Sequence, residues 1–136
     1  MAQNKGANVR YRAIDKCLSA KHGRYSWEDL QRACEDALYR AFSERISVSR
    51  RQIFNDLNFM ESEAGFRALI KRTKDGKRTY YTYEDPNFSI ANMPLSYEEL
   101  DQLKETVLLL NRFKGLPQFE WMEELQSKLA DKLHLN

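Results

Sequence analysis

Through the first 60 residues, apolar side chains recur every three or four positions, the spacing of a buried helix face. Tyr11, Ile14, Cys17 and Leu18 share such a face over 9–19, and Asn8 is placed to cap it. KHGRY (21–25) interrupts the pattern, with Gly23 as the turn residue. Ser26 then opens a second helix, and Asp29, three residues on, makes a weaker version of the capping box. Trp27, Leu30, Cys34, Ala37, Leu38 and Ala41 stripe this helix through Phe42 and read as core. After a short connection, SERISV (43–48), Ser49 is a good N-cap for a third helix. At about 100° per residue, Ile53, Leu57 and Met60 fall on one face of it, with Phe54 at the margin. Arg51, Gln52, Asn55 and Asn58 cluster on the opposite side.

From residue 65 the pattern changes to strand chemistry. GFRALIKRTKDGKRTYYTYED (65–85) is rich in β-branched and aromatic residues and predicts strands over 66–72 and 78–84. Between them the pair Asp75-Gly76 suits a tight hairpin turn. DPNFSIANMPLS (85–96) reads as an extended linker, because Pro86 and Pro94 discourage helix. Ser96 and Glu99 form a full capping box for a further helix striped by Leu100, Leu103, Val107 and Leu110, with Leu108 and Leu109 broadening the stripe. FKGLP (113–117) ends it, Gly115 serving as C-cap and Pro117 starting the next. Phe119, Met122, Leu125, Leu129 and Leu133 stripe a last helix. The two helices make an antiparallel hairpin too small to be stable alone, so they are expected to pack on the domain, on a second copy or on something outside this chain.

The fold class is therefore mainly α with a β-hairpin: a winged helix-turn-helix over 1–86, followed by a linker and two-helix extension over 87–136. Charge sharpens this division. Residues 45–83 hold 9 basic and 4 acidic side chains, net +5, whereas 84–136 hold 5 basic and 10 acidic, net −5. A basic middle joined to an acidic end suggests an anion-binding part and a part with another task. The first turn of the third helix carries Arg50 and Arg51, where the helix dipole disfavours cations, so an external anion is expected there.

Arginine and amide side chains on the outward face match guanine and adenine edges in the major groove. Ser49, Arg50, Arg51, Gln52, Asn55 and Asn58 are accordingly the expected DNA contacts on the third helix, Arg50 being nearer the apolar margin and suited to a phosphate or a structural role. Lys74, Lys77 and Arg78 on the hairpin are expected to grip phosphates, as are Arg24, Tyr25 and Ser26 ahead of the second helix. Asp56 is expected to cap or to pair with an arginine inside the domain, and Arg10 and Arg12 to be solvated. Tyr80, Tyr81 and Tyr83 read as packing and strand formers and not as a stacking platform for RNA.

Other chemistry finds little support. There is no Gly-rich phosphate loop and no nucleophile–base arrangement, and His22 and His134 lack metal-ligand spacing, so no enzyme, cofactor, metal or small-molecule ligand is expected. Paired acids such as Glu98-Glu99 and Glu123-Glu124 belong to helix starts or exposed faces. Cys17 and Cys34 fall at apolar helix positions and read as buried free thiols. No run approaches the roughly 18 apolar residues of a membrane span, and MAQNKGANVRYR lacks the apolar core of a secretory signal, which together suggest a cytoplasmic protein.

With these elements placed, the sequence resembles the N-terminal half of bacterial WYL-domain transcriptional regulators. Their recognition-helix signature runs roughly V-S-x-R-T-I-x-R-D-L; Val48, Ser49, Arg51, Ile53, Asp56 and Leu57 match it, and Gln52 and Asn55 depart from it at outward positions. The likeness continues through YYTYEDPNFSI (80–90), PLSYEELDQL (94–103) and FKGLPQFEWMEEL (113–125). It implies a sequence-specific double-stranded DNA-binding regulator, a repressor or activator, generally a homodimer on a near-palindromic operator. Leu103, Val107, Leu110, Met122, Leu125 and Leu129 are the expected dimerisation residues. No Trp-Tyr-Leu signature of the sensor domain is present, so a piece of a longer regulator is expected. The rival reading is a winged helix used only to dock another protein, its amide face meeting the partner.

Overall fold

The computed structural model describes residues 6–133; the side chain of Leu133 and the whole of His134 lie outside the described residues. Three helices, α1 (Ala7–Leu18), α2 (Trp27–Phe42) and α3 (Arg50–Glu61), precede a hairpin of β1 (Ile70–Asp75) and β2 (Arg78–Tyr83). Two further helices follow, α4 (Tyr97–Leu110) and α5 (Glu120–Leu133). A first compact unit runs to Ser96, and a second starts at Tyr97.

The helix starts follow local chemistry where a side chain can reach a free backbone N–H. Ser26 accepts from the Asp29 N–H, and Asp29 Oδ2 accepts from the Ser26 N–H at 2.9 Å, so the capping box forms as expected. Those bonds, first of all that from the Ser26 backbone, hold the Asp29 carboxyl below its usual pKa range. Ser49 Oγ accepts from the Gln52 N–H at 3.0 Å at the start of α3. The first helix departs from expectation: it begins at Ala7, with Gly6 at the N-cap position and no side-chain cap.

Buried apolar residues from α1, α2, α3 and the hairpin meet in one core, that of the first unit. Ile14 and Leu18 of α1, Leu30 and Leu38 of α2, and Ile53, Leu57 and Met60 of α3 are fully buried, with Tyr81 and Tyr83 of β2 against them. Cys17 and Cys34 are buried free thiols, as the pattern suggested. Burial pushes them up to about 11 and about 12 respectively, and the Cys34 S–H faces the Arg10 carbonyl at 3.8 Å.

Arg10, expected to be solvated, is instead 4% exposed. Its guanidinium donates to both Asp56 oxygens, at 2.7 and 3.2 Å, joining α1 to α3 across the core. The signal for Asp56 as a structural partner was present; which arginine it took depended on how α1 crosses α3. The turn between α2 and α3 is fixed just as specifically. Gln31 donates to the Val48 carbonyl at 2.6 Å, and Glu35 accepts the Val48 N–H at 2.9 Å. Val48, one residue before the cap of α3, is thus held through both its backbone groups by one face of α2.

The hairpin is shorter at its start than the expected strand over 66–72. Arg67 takes a left-handed φ of 55°, the Ala68 N–H bonds the Met60 carbonyl, and Phe66 and Ala68 are buried, so these residues close α3 instead of joining the ladder. Gly65 is required in this turn because a Cβ there would strike the Phe59 carbonyl. The ladder pairs Ile70 with Tyr83 through to Asp75 with Arg78. Gly76 and Lys77 are therefore the two turn residues, with Gly76 at φ 65°, the positive value that primed turns need at their first position. One further backbone contact to β2 was not expected: the Tyr81 N–H bonds the Tyr25 carbonyl at 2.9 Å as an isolated antiparallel bridge.

The segment read as an extended linker belongs largely to the first unit. Ile90 is buried in the core, Phe88 packs edge-on to Tyr83 with ring centroids 4.8 Å apart, and Ile90–Asn92 forms a 3-10 turn. The cause is Asp15 of α1, itself 4% exposed. Its carboxylate accepts from the Tyr83 hydroxyl (2.6 Å), the Ser89 hydroxyl (2.7 Å) and the Ile90 N–H (2.9 Å). Burial first, and then the bond to Asp15, drive the Tyr83 phenol far above its ordinary pKa, which keeps it a donor.

In the second unit, α4 ends in a 3-10 turn (Asn111–Phe113), Gly115 sits at φ 94°, and Pro117 opens the 3-10 turn Pro117–Phe119 leading to α5. Phe113 and Phe119 have ring centroids 5.1 Å apart, and Gln126 donates to the Val107 carbonyl at 3.5 Å. Of the apolar stripe, Leu103, Val107, Leu110 and Leu129 are half-buried and Met122 is buried, while Leu125 is exposed together with Leu108, Leu109 and Trp121.

Candidate nucleic-acid interface

The first turn of α3, the start of α2 and the hairpin together present a basic, polar surface. What decides its character is which cations are already neutralised. Arg10 pairs with Asp56, Arg24 with Asp75, Arg32 with Asp29 and Arg72 with Glu61. Among the described residues, Arg50, Arg51, Lys74, Lys77 and Arg78 pair with no carboxylate, and all five are exposed. Exposed Arg12, Lys16, Lys21, Arg40, Arg45 and Lys71 likewise pair with no carboxylate among the described residues, so what sets the α3 N-terminus apart is that two of its cations sit in a first turn that holds no acidic residue.

On α3 itself, Arg51, Asn55 and Asn58 are exposed and lie on the side opposite buried Ile53 and Leu57. Ser49 is exposed but its hydroxyl oxygen accepts the Gln52 N–H as the cap. Gln52 departs from the outward position expected for it. It is half-buried, and its amide donates to Asp56 Oδ1 at 2.9 Å, because residue 56 lies one turn along on the same side. Gln52 therefore extends the Arg10–Asp56 pair to the surface margin instead of standing at the centre of the amide face.

Of the three residues expected ahead of α2, only Arg24 is well exposed. Its guanidinium bonds Asp75 at 2.7 Å and lies 4.1 Å from the Tyr80 ring centroid, which ties the approach to α2 onto the hairpin. Tyr25 is half-buried and engaged through its carbonyl in the bridge to Tyr81. Ser26 is 2% exposed, and its hydroxyl and N–H are both taken by the capping box. In the structure it starts α2.

Pattern reading missed the setting of Arg50. Its guanidinium carbon lies 5.3 Å from the Trp27 ring and 5.4 Å from the Phe54 ring. Trp27, read simply as core, is half-buried and contributes a face to this contact. The i, i+4 spacing of Arg50 and Phe54 was a visible sign of half of this contact; the Trp27 half needed the crossing of α2 and α3. Hydrophobic and ring contacts also brace the wing from below, with Phe54 and Tyr81 edge-on at 6.5 Å.

Among the described residues, no group of three or more His, Cys, Asp or Glu is placed to hold a metal ion, and no helix is long and apolar enough to cross a membrane. Residues 6–84 match a protein-family model described as the N-terminal winged helix domain of WYL domain-containing proteins. No curated protein and no solved structure matches the chain.

Proposed function

The chain belongs to the family of N-terminal winged helix domains of WYL domain-containing proteins, and on that premise we propose that it is a sequence-specific, double-stranded DNA-binding transcriptional regulator, most simply a repressor, acting in the cytoplasm. The observation that carries the reading is the pairing pattern of its cations. Arg10 in the core and Arg72 on β1 are matched to carboxylates, whereas Arg50 and Arg51 on the first turn of α3 and Lys74, Lys77 and Arg78 on the wing are left for an external anion. In this reading α3 enters the major groove, where Arg51, Asn55 and Asn58 meet base edges, and the wing's Lys74, Lys77 and Arg78 follow phosphates. The polarity of the surface suits binding, and no catalytic role is proposed.

Fluorescence anisotropy on a duplex enriched from a random pool by the 136-residue chain, set against scrambled duplex over a salt series, tests this. Preferential, steeply salt-dependent binding is expected. Arg51→Ala should weaken binding to the enriched duplex by about 1–3 kcal/mol and relax selection at one base position. Unchanged affinity would remove Arg51 from the interface. No binding of the wild-type chain to any duplex at low salt would instead favour the protein-docking use of the fold.

Two copies on a near-palindromic site are part of the same proposal, with Leu103, Val107, Leu110, Leu125 and Leu129 at the contact between them; Met122, expected there as well, is buried and supports that surface from beneath. The exposed Leu125, together with Leu108, Leu109 and Trp121 (60% exposed), supports an apolar meeting surface on the C-terminal helices. Light scattering on an eluting peak should give twice the 16.1 kDa chain mass at micromolar concentration, and Leu125→Glu should return it to one. A monomeric wild type would end the dimer proposal.

A further inference from the structure

Arg50 raises a separate question, because its charge is held in an unusual way. A guanidinium paired with a carboxylate is neutralised, but one laid on aromatic faces keeps its full charge while losing freedom to move. Arg50 is of the second kind, resting between Trp27 and Phe54 with no acid partner among the described residues. It lines a cleft of about 280 Å³ formed where the first turn of α2, the first turn of α3 and the wing converge. From the wing, Lys77 and Arg78 line the same cleft, and Glu28 is the acid among its lining residues. Three cations against one carboxylate leave the cleft net positive.

We infer that this cleft seats one phosphate of the DNA backbone, held by Arg50 on its Trp27–Phe54 platform and by Lys77 and Arg78 from the wing. The inference rests on the DNA-binding reading above and adds to it a fixed contact that carries no base information. Two features argue for a phosphate over a base. The Trp27 and Phe54 faces that could stack an unpaired base are already occupied by the guanidinium. A side chain pinned across two rings is also poorly placed to extend along the groove floor as an edge reader must. Trp27 is then a positioning residue: it does not touch the phosphate but holds the group that does.

The experiment uses the full chain and its enriched duplex, with each backbone phosphate replaced in turn by an uncharged methylphosphonate. For the wild type, one position per half-site should weaken binding about fivefold to tenfold, as losing one charged contact does. Arg50→Ala should lose a similar factor on unmodified DNA, equally for enriched and scrambled duplex, and become insensitive to that one methylphosphonate. Its log–log salt slope should fall by about one unit, whereas Arg50→Lys should keep the slope. Trp27→Leu, checked for folding by circular dichroism, should keep the slope but lose roughly threefold in affinity. If Arg50→Ala changes which bases are selected, the residue reads sequence and the inference falls. It falls equally if wild type and Arg50→Ala respond alike at every methylphosphonate, while DNA binding itself survives. A wild type that binds no duplex overturns both readings together.

Discussion

Asp56→Ala is expected to destabilise the winged-helix unit by about 3–5 kcal/mol, the cost of leaving a buried guanidinium without its counter-charge. Arg10 and Asp56 are 4% and 2% exposed, and their two hydrogen bonds span 46 residues of sequence. Water cannot replace the lost carboxylate without opening the seam between α1 and α3. Domains of this size have total stabilities of roughly 5–15 kcal/mol, so the variant should be close to unfolding at physiological temperature. In urea the midpoint should move down by roughly 2 M, given a slope near 2 kcal/mol/M. The informative companion is Arg10→Met with Asp56→Leu. Removing both charges avoids the orphaned ion, and the double variant should lie within about 2 kcal/mol of wild type. If the single and double variants lose the same stability, the pair contributes through shape alone. Gln52 supplies a second readout, because its amide loses the acceptor that holds it at the surface margin of α3.

Asp15→Ala should cost about 2–4 kcal/mol by a different route. No cation pairs with this carboxylate among the described residues; its stabilisation comes from three donors that converge on it. Deleting it leaves the Tyr83 hydroxyl, the Ser89 hydroxyl and the Ile90 N–H without an acceptor in a dry site. Melting temperature should fall on the order of 10–20 °C for a unit of this length. Asp15→Asn should rescue in part, since its Oδ1 can keep the Tyr83 hydroxyl and the Ile90 N–H while its NH₂ donates to the Ser89 hydroxyl, which can accept. The loss should also be local: hydrogen exchange at the Ile90 amide should accelerate well before exchange in α2, and proteolysis should begin within 85–93. Uniform loss of protection, or a variant within about 1 kcal/mol of wild type, would show that the segment is held by Ile90 and Phe88 packing instead.

These two buried acids also mark where reading the chain in one dimension stops. Asp56 reads in the sequence as structural, able to cap or to pair with an arginine inside the domain, and it does pair with Arg10. Asp15 carried no such sign, since its three partners lie between 68 and 75 residues away. Gln52 was misplaced for a related reason. A helical wheel assigns direction by angle alone, and at the margin of a face a strong acceptor one turn away outweighs the pull of solvent. The start of β1 was misjudged because Phe66 and Ala68 have strand-like neighbours but are taken by the end of α3.

What the sequence determined by itself was governed by contacts within a few residues, although not every such contact was legible, as the Asn8 cap and the Gln52–Asp56 bond show. Ser26 with Asp29, and Ser49 with the Gln52 N–H, set the starts of α2 and α3; Gly76 set the hairpin; the spacing of Ile53, Leu57 and Met60 set the inward side of α3. With the VSRRQIFNDL run, those were enough to reach the winged helix and its exposed arginine and amides. Only the tertiary structure decided which arginines are consumed and which remain free. Arg10 and Arg50 look alike in the sequence, yet one is buried against Asp56 and the other lies on Trp27 with its charge intact. The reason is that a charge is neutralised by whatever folding brings within a few ångströms, and for these residues that neighbour belongs to another element of the chain.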